Sequence, residues 1–232
     1  MATSGLYSSA MSRDDIIKAA LRLTTRYSAD DVIPAEEFVF CGQALNMLCK
    51  EMVTEFLPLW CVQEIAIPLI AGQGSYNLST ASGTNRPLRV LDCFIRNGQG
   101  SDRSIEMVSR YDQNLLGQKQ SPGQPNQAYY DPQLGAAMIV LYNVPADALS
   151  TLHVVIQRQV QDFNLGTDNP DFPQEAFRLL KWTLADEISL EYSTPRDIRQ
   201  EIGMKASGFR QKFADAAQEQ VSVTFTPSGR ML

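Results

Sequence analysis

The side chains that could carry chemistry are few. Cys41, Cys49, Cys61 and Cys93, with the single histidine His153, are the only thiol or imidazole ligands in the 232-residue chain. A structural zinc site draws on such ligands in short paired spacings, and no C-x-x-C pair occurs here, with His153 far from all four cysteines. Cys41 and Cys49 fall in a helical apolar pattern and Cys93 in an alternating one, so they read as small buried hydrophobes. His153 sits within an apolar strand pattern, where general acid–base chemistry has no cleft to work in. Asp186, Glu187 and Glu191 share a helical segment with Arg178 and Lys181, the pattern of a solvated face. Glu36 and Glu37 open another helix, whose dipole they complement. Gly72 and Gly74, and again Gly98 and Gly100, form G-x-G pairs, but no helix start follows either to offer amides to a phosphate. Trp60 and Trp182 read as core aromatics. No serine, cysteine or lysine has a visible activating partner, so the expectation is no enzyme, no cofactor and no metal.

Around these residues the apolar spacing lays out two kinds of structure. Ser12 and Asp15 have the form of a capping box before Ile16, Ala20, Leu23 and Tyr27, predicting a helix over 12–27. Pro34 opens a second, over 35–57, in which Phe38, Cys41, Leu45, Leu48, Met52 and Phe56 recur at three and four; it would be about 34 Å long. Gly42 inside it marks either a close helix contact or a tolerated glycine. A third helix, 172–192, carries Phe177, Leu180, Leu184 and Ile188 behind Pro173, and it organises the rest because its apolar stripe needs neighbours on more than one side. Thr194, as N-cap, and Pro195 start a last helix to about residue 220.

Between the second and third helices the period drops to two, with glycine, proline, serine and asparagine punctuating short segments. Strands are expected at 62–68, 75–78, 88–96, 103–108, 128–131, 136–142 and 152–159, with Leu88, Val90 and Phe94 on one face. The tail alternates Val221, Val223 and Phe225 with hydroxylic residues before Pro227, Arg230 and Leu232. Extended, it would reach about 40 Å. The predicted fold class is α+β: a bundle of long helices from both chain ends, an inserted antiparallel β-sandwich or barrel-like domain, and an extended C-terminal arm. The expected divisions are 1–61 and 163–220 for the helical body, 62–162 for the β domain and 221–232 for the arm.

Composition narrows the class. Apolar residues make up 44% and charged residues 20%, ordinary for a globular chain. No apolar run reaches the length of a membrane span and no secretion signal opens the chain, so a soluble protein made in the cytosol is expected. Twenty-six acids against twenty bases give a net charge of -6, which argues against a surface built mainly to grip nucleic acid.

The order of parts is specific enough to compare. Phe56-Leu57-Pro58-Leu59-Trp60 ends the long helix; Ile67-Pro68, Gly72-Gln73-Gly74-Ser75-Tyr76-Asn77-Leu78 and Arg86-Pro87-Leu88-Arg89-Val90 follow. Then come Gly123-Gln124-Pro125-Asn126-Gln127-Ala128-Tyr129-Tyr130, the segment Met138-Ile139-Val140-Leu141-Tyr142 before Pro145, and Phe172-Pro173-Gln174-Glu175. Over roughly 12–220 this resembles the head-to-tail adaptor family of tailed bacteriophages, similar to the tail tubular protein A and packaged-DNA-stabilising group of short-tailed phages. The resemblance implies a ring, usually of twelve copies, under the portal protein, joining it to a tail nozzle or other tail protein in the neck of the virion after assembly in the host cytoplasm. It further implies that packaged DNA is retained and conducted as a transient passenger, that no membrane is involved, and that the C-terminal segment reaches toward the portal. Val221, Val223, Phe225, Pro227, Arg230 and Leu232 are then the expected interface with portal or neighbouring subunit, since an alternating strand can add to a partner's sheet edge. Two other classes stand beside it: a carbohydrate- or protein-binding module of a phage tail or host-contact structure, and a hydrolase without a sequence signature.

Overall fold

The computed structural model describes residues 9–55, 58–83 and 86–217. α1 (Arg13–Leu23) begins with the expected reciprocal cap: Ser12 Oγ accepts the Asp15 amide and the Asp15 carboxylate accepts the Ser12 amide, each at 3.2 Å. It stops at Leu23 rather than at 27. Thr24 turns its hydroxyl onto the Leu21 carbonyl (2.8 Å), and Thr25 takes φ 60, outside the helical region. α2 (Ala35–Glu55) buries Cys41, Leu45, Leu48, Cys49 and Met52, and at Gly42 the Arg13 side chain passes close enough that a Cβ would meet its Nη1 at 3.5 Å.

From Val62 the chain builds three sheets. The first is antiparallel, in the order β1 (Val62–Pro68), β10 (Thr151–Gln157), β3 (Arg89–Arg96), β4 (Asp102–Ser104). The second runs β2 (Ser75–Asn77), β8 (Met138–Tyr142), β7 (Gln127–Asp131), β5 (Glu106–Met107), with β5 parallel to β7. The third is a parallel pair, β6 (Pro122–Gly123) with β9 (Val144–Pro145). Two short helices, α3 (Leu78–Ser82) and α4 (Arg110–Leu115), interrupt the strands.

Two features depart from strict alternation. The segment expected as one strand over 103–108 is divided at Ile105, which is 2% exposed and donates its amide to Cys93 O (2.9 Å); β4 before it and β5 after it belong to different sheets. In β3 the register against β10 shifts between Val155 and Ile156, which leaves Leu91 unopposed. That bulge reverses the face of everything beyond it. Val90 therefore packs with buried Cys93 and Ile95, whereas Phe94 lies on the other face, stacked on His153 with ring centroids 4.9 Å apart.

α5 (Phe177–Ser189) follows a single 3-10 turn (Gln174–Ala176) after Pro173 and buries Leu179, Leu180, Leu184, Ala185 and Ile188. α1, α2 and α6 (Arg196–Ala217) each pack on it. Thr194, expected as the cap of α6, is buried instead and donates its hydroxyl to Thr24 O at 3.3 Å.

The interior is in two parts. One core takes its residues from α1, α2, α5 and α6 together with Cys61, Val160, Phe163 and Phe172; the other lies between the first two sheets, around Ile65, Leu78, Ile139, Leu141, Leu152 and Ile156. The expected fold class is corrected by this arrangement. The chain is a mixed α/β structure with six helices and three sheets among the described residues, not a bundle of long helices carrying an antiparallel sandwich or barrel. The two long helices, α2 and α6, pack on the 13-residue α5 rather than along each other, and two of the sheets contain parallel pairs. The physical reason is that an apolar stripe fixes which face of a helix is covered and says nothing about what covers it.

Candidate functional site

The cysteines are free and buried. Burial pushes the thiols of Cys49 and Cys93 up to about 12 and that of Cys61 up to about 11, and it also raises Cys41. A thiol so placed supplies almost no thiolate for attack or metal binding. Among the described residues no three His, Cys, Asp or Glu side chains are grouped so as to hold a metal ion. His153 is 7% exposed, and its Nδ1 lies 2.6 Å from Glu64 Oε1 across the first sheet. One face of its ring is taken by Phe94, over which Arg96 also sits. The imidazole is thus held by a carboxylate and a ring, with no hydroxyl or thiol in the group for it to activate.

At α5, Ser189 is buried and donates to Asp186 O (2.7 Å), while burial raises Asp186 above its ordinary value against a smaller opposing pull from Arg210. Glu37 accepts hydrogen bonds from Tyr27 (3.0 Å) and from Tyr192, tying the start of α2 to the chain after α5. The Glu37 carboxylate is thus engaged in the fold. Trp60 and Trp182 both pack against the helical core, Trp60 against Phe172 and Phe213 at 5.7 and 5.4 Å.

One concave site, under α4, was not evident in the sequence. α4 is held against β7 by Arg110, whose Nε donates to Tyr129 Oη (2.9 Å) and whose Nη2 pairs with Asp131 (3.2 Å). Between α4, β7, β8 and the β9 turn lies a cleft of about 170 Å³, with Gln113, Lys119, Gln120, Tyr129 and Tyr142 among its polar lining and Leu116 and Val144 among its apolar lining. No carboxylate, imidazole or thiol lines it. Such a cleft can hold a small polar group by amide and hydroxyl hydrogen bonds. Neither a family model nor a curated protein matches this chain. The signal for α4 was present in Ser109 and Asp112, the same Ser-x-x-acid spacing as Ser12 and Asp15; Ser109 Oγ accepts the Asp112 amide at 3.2 Å. The cleft itself had no signal, because its walls come from four separate elements.

Val221, Val223, Phe225, Pro227, Arg230 and Leu232, the expected interface residues, lie outside the described residues. No helix among those described is long and apolar enough to cross a membrane.

Proposed function

We propose that this chain is a structural assembly protein, a head-to-tail adaptor whose copies form a ring of about twelve beneath a portal protein and join it to the tail. The observation that carries the reading is that large apolar side chains stand in water on separate helical elements. Val39 and Met47, eight residues apart on α2, are 61% and 66% exposed; Leu190 after α5 and Met204 on α6 are 67% and 70% exposed. Apolar side chains exposed on different elements of one chain suit head-to-tail contact between identical copies, and such contacts close into rings when the rotation allows. The family resemblance supplies the partners: portal above, tail protein below, and DNA as a passenger through the ring. Electron microscopy of the purified chain, alone and mixed with a portal protein, tests this. Closed rings in either sample support it, and a chain that stays monomeric in both sinks it.

The cleft beneath α4 favours a second reading, a carbohydrate- or protein-binding module, because tyrosine hydroxyls and amide side chains line it and suit a polar ligand. Retention of a glycan on an array by a monomeric chain, abolished by Gln113→Ala with Gln120→Ala, would favour that reading over the ring.

A further inference from the structure

Of the side chains that line the cleft under α4, Lys119 alone carries a charge, and it has no ion-pair or hydrogen-bond partner among the described residues. The side-chain amides of Gln113 and Gln120 and the hydroxyl of Tyr142 are likewise uncommitted there. Tyr129 Oη accepts from Arg110 Nε at 2.9 Å, which leaves its own proton to be donated. Two carboxylates lie behind this lining and are already taken. Glu106 accepts from Gln127 at 3.0 Å, and Asp131 accepts from Arg110 at 3.2 Å and from Gln133 at 2.8 Å. The strands that supply Tyr129, Val140 and Tyr142, β7 and β8, are each paired on both sides, so neither offers an edge to which a peptide could add.

We propose that this cleft binds a uronic acid, a single six-membered sugar ring that bears a carboxylate. The size fits one ring: a closed cavity of about 150 Å³ holds a benzene-sized molecule, so the cleft of about 170 Å³ admits one pyranose and little more. The hydroxyls of a sugar both donate and accept, and so do the amides of Gln113 and Gln120 and the hydroxyl of Tyr142. Leu116, Val144 and the tyrosine rings offer apolar surface to the C–H face of the ring. One cation matches one carboxylate. A phosphate monoester carries about -1.5 to -2, and its excess charge would face Glu106 and Asp131 unneutralised. The bond from Lys119 is charge-assisted, and it is the contact that tells an acidic sugar from its neutral counterpart. The inference rests on the binding-module reading and is independent of the ring, since a ring subunit would carry the same cleft.

Ligand-observed NMR titrations of the full chain with methyl β-D-glucuronide and with methyl β-D-glucoside, which differ only in a carboxylate against a hydroxymethyl group, test it. The glucuronide should bind about tenfold more tightly, the difference between a charge-assisted and a neutral hydrogen bond. Lys119→Gln should erase that preference and leave the glucoside's affinity in place; its side chain makes no bond in the fold, so the variant should keep the parent's circular dichroism spectrum. Gln113→Ala with Gln120→Ala should weaken both sugars alike, and Lys181→Gln on α5 should change neither. If parent and Lys119→Gln bind the two sugars equally, the inference fails and the binding-module reading stands. If the parent binds neither, both fall. Acetate bound as tightly as the glucuronide would mean a carboxylate site with no use for the sugar ring, and a glucose phosphate bound more tightly would assign the cleft to a phosphorylated ligand; either result overturns the proposal.

Discussion

The two cores close by different means. In the helical core the contacts join segments more than a hundred residues apart, and single side chains make the closing bonds. Asn46 on α2 donates its amide to Phe163 O (3.1 Å) and accepts the Phe163 amide (2.9 Å); Lys50, a turn further on, donates to Val160 O at 3.0 Å. Arg158 and Asp171 pair within the same returning segment. In the β core the closing bonds are backbone ladders, β1 to β10 to β3 above and β2 to β8 to β7 below, so no one side chain carries the closure. The two meet where Gln157, at the end of β10, donates to Val53 O on α2 at 2.8 Å. The difference teaches that a point change should act more sharply on the helical side. Both tryptophans lie on that side, so their fluorescence reports it selectively.

The largest effect is expected at α5, where all the long helices meet. Leu184 is fully buried, and Leu184→Ala should cost about 3 kcal/mol, the usual range for a leucine truncated in a core. Urea unfolding followed by tryptophan fluorescence should show it, while Ile139→Ala in the β core should leave that signal's midpoint in place. If Ile139→Ala moves the tryptophan midpoint as far as Leu184→Ala does, the cores melt as one and the comparison fails.

A second break is Asn46→Ala, which removes both bonds to Phe163 and should cost about 2 kcal/mol, near 1 for each. Asn46→Asp keeps the acceptor for the Phe163 amide and loses only the donor, so it should fall between parent and alanine. Equal stability of all three proteins would mean that water replaces the bridge without loss.

Local signals were legible in the sequence and partnerships were not. The cap at Ser12 and Asp15 was readable because it is made within one turn, and the buried stripe of α5 was readable from Leu180, Leu184 and Ile188. The expected bundle was wrong because α2 and α6 both spend their apolar faces on α5, a matter of three-dimensional placement that periodicity cannot carry. The bulge at Leu91 shows the same limit in a strand, since one unopposed residue put Phe94 on the face opposite Val90, with which it was expected to lie, and against the ring of His153. Thr194 looked like a cap from its neighbours, but a carbonyl 170 residues away claimed its hydroxyl. The cleft was missed for that reason: it is assembled from side chains that are not neighbours in sequence.

A smaller change sharpens the β side. Ser109→Ala removes the cap of α4 and should cost about 1 kcal/mol, spent mostly on local fraying because α4 buries none of its residues. Amide exchange at Asp112 and Gln113 should accelerate while strands β8 and β10 keep their protection. Uniform acceleration across the sheets would show that α4 is coupled to the whole β core.

The smallest effect separates two carboxylates on the helical side by sign. Asp168 accepts the amides of Leu165 and Asn164 at 2.6 and 2.8 Å, and those bonds hold its carboxyl below the ordinary value of 3.8. A depressed folded-state pKa contributes stability above the unfolded pKa, lost as pH falls through the folded one. Asp186 is the opposite case, because burial beside α6 raises its carboxyl. Its contribution is favourable below the unfolded value of 3.8 and is lost as pH rises through the folded one, so at pH 7 ionised Asp186 opposes folding. Asp186→Asn should therefore gain stability at pH 7, up to about 0.5 kcal/mol for a partly exposed position, and should lose that advantage when the parent carboxyl is protonated. Asp168→Asn should lose stability at pH 7 and converge with the parent in acid. Urea midpoints for the three proteins at pH 7 and at a pH below 3.8 decide it: if Asp186→Asn is less stable than the parent at pH 7, the attraction of Arg210 outweighs the burial of the carboxylate, and α6 is docked on α5 by that pair.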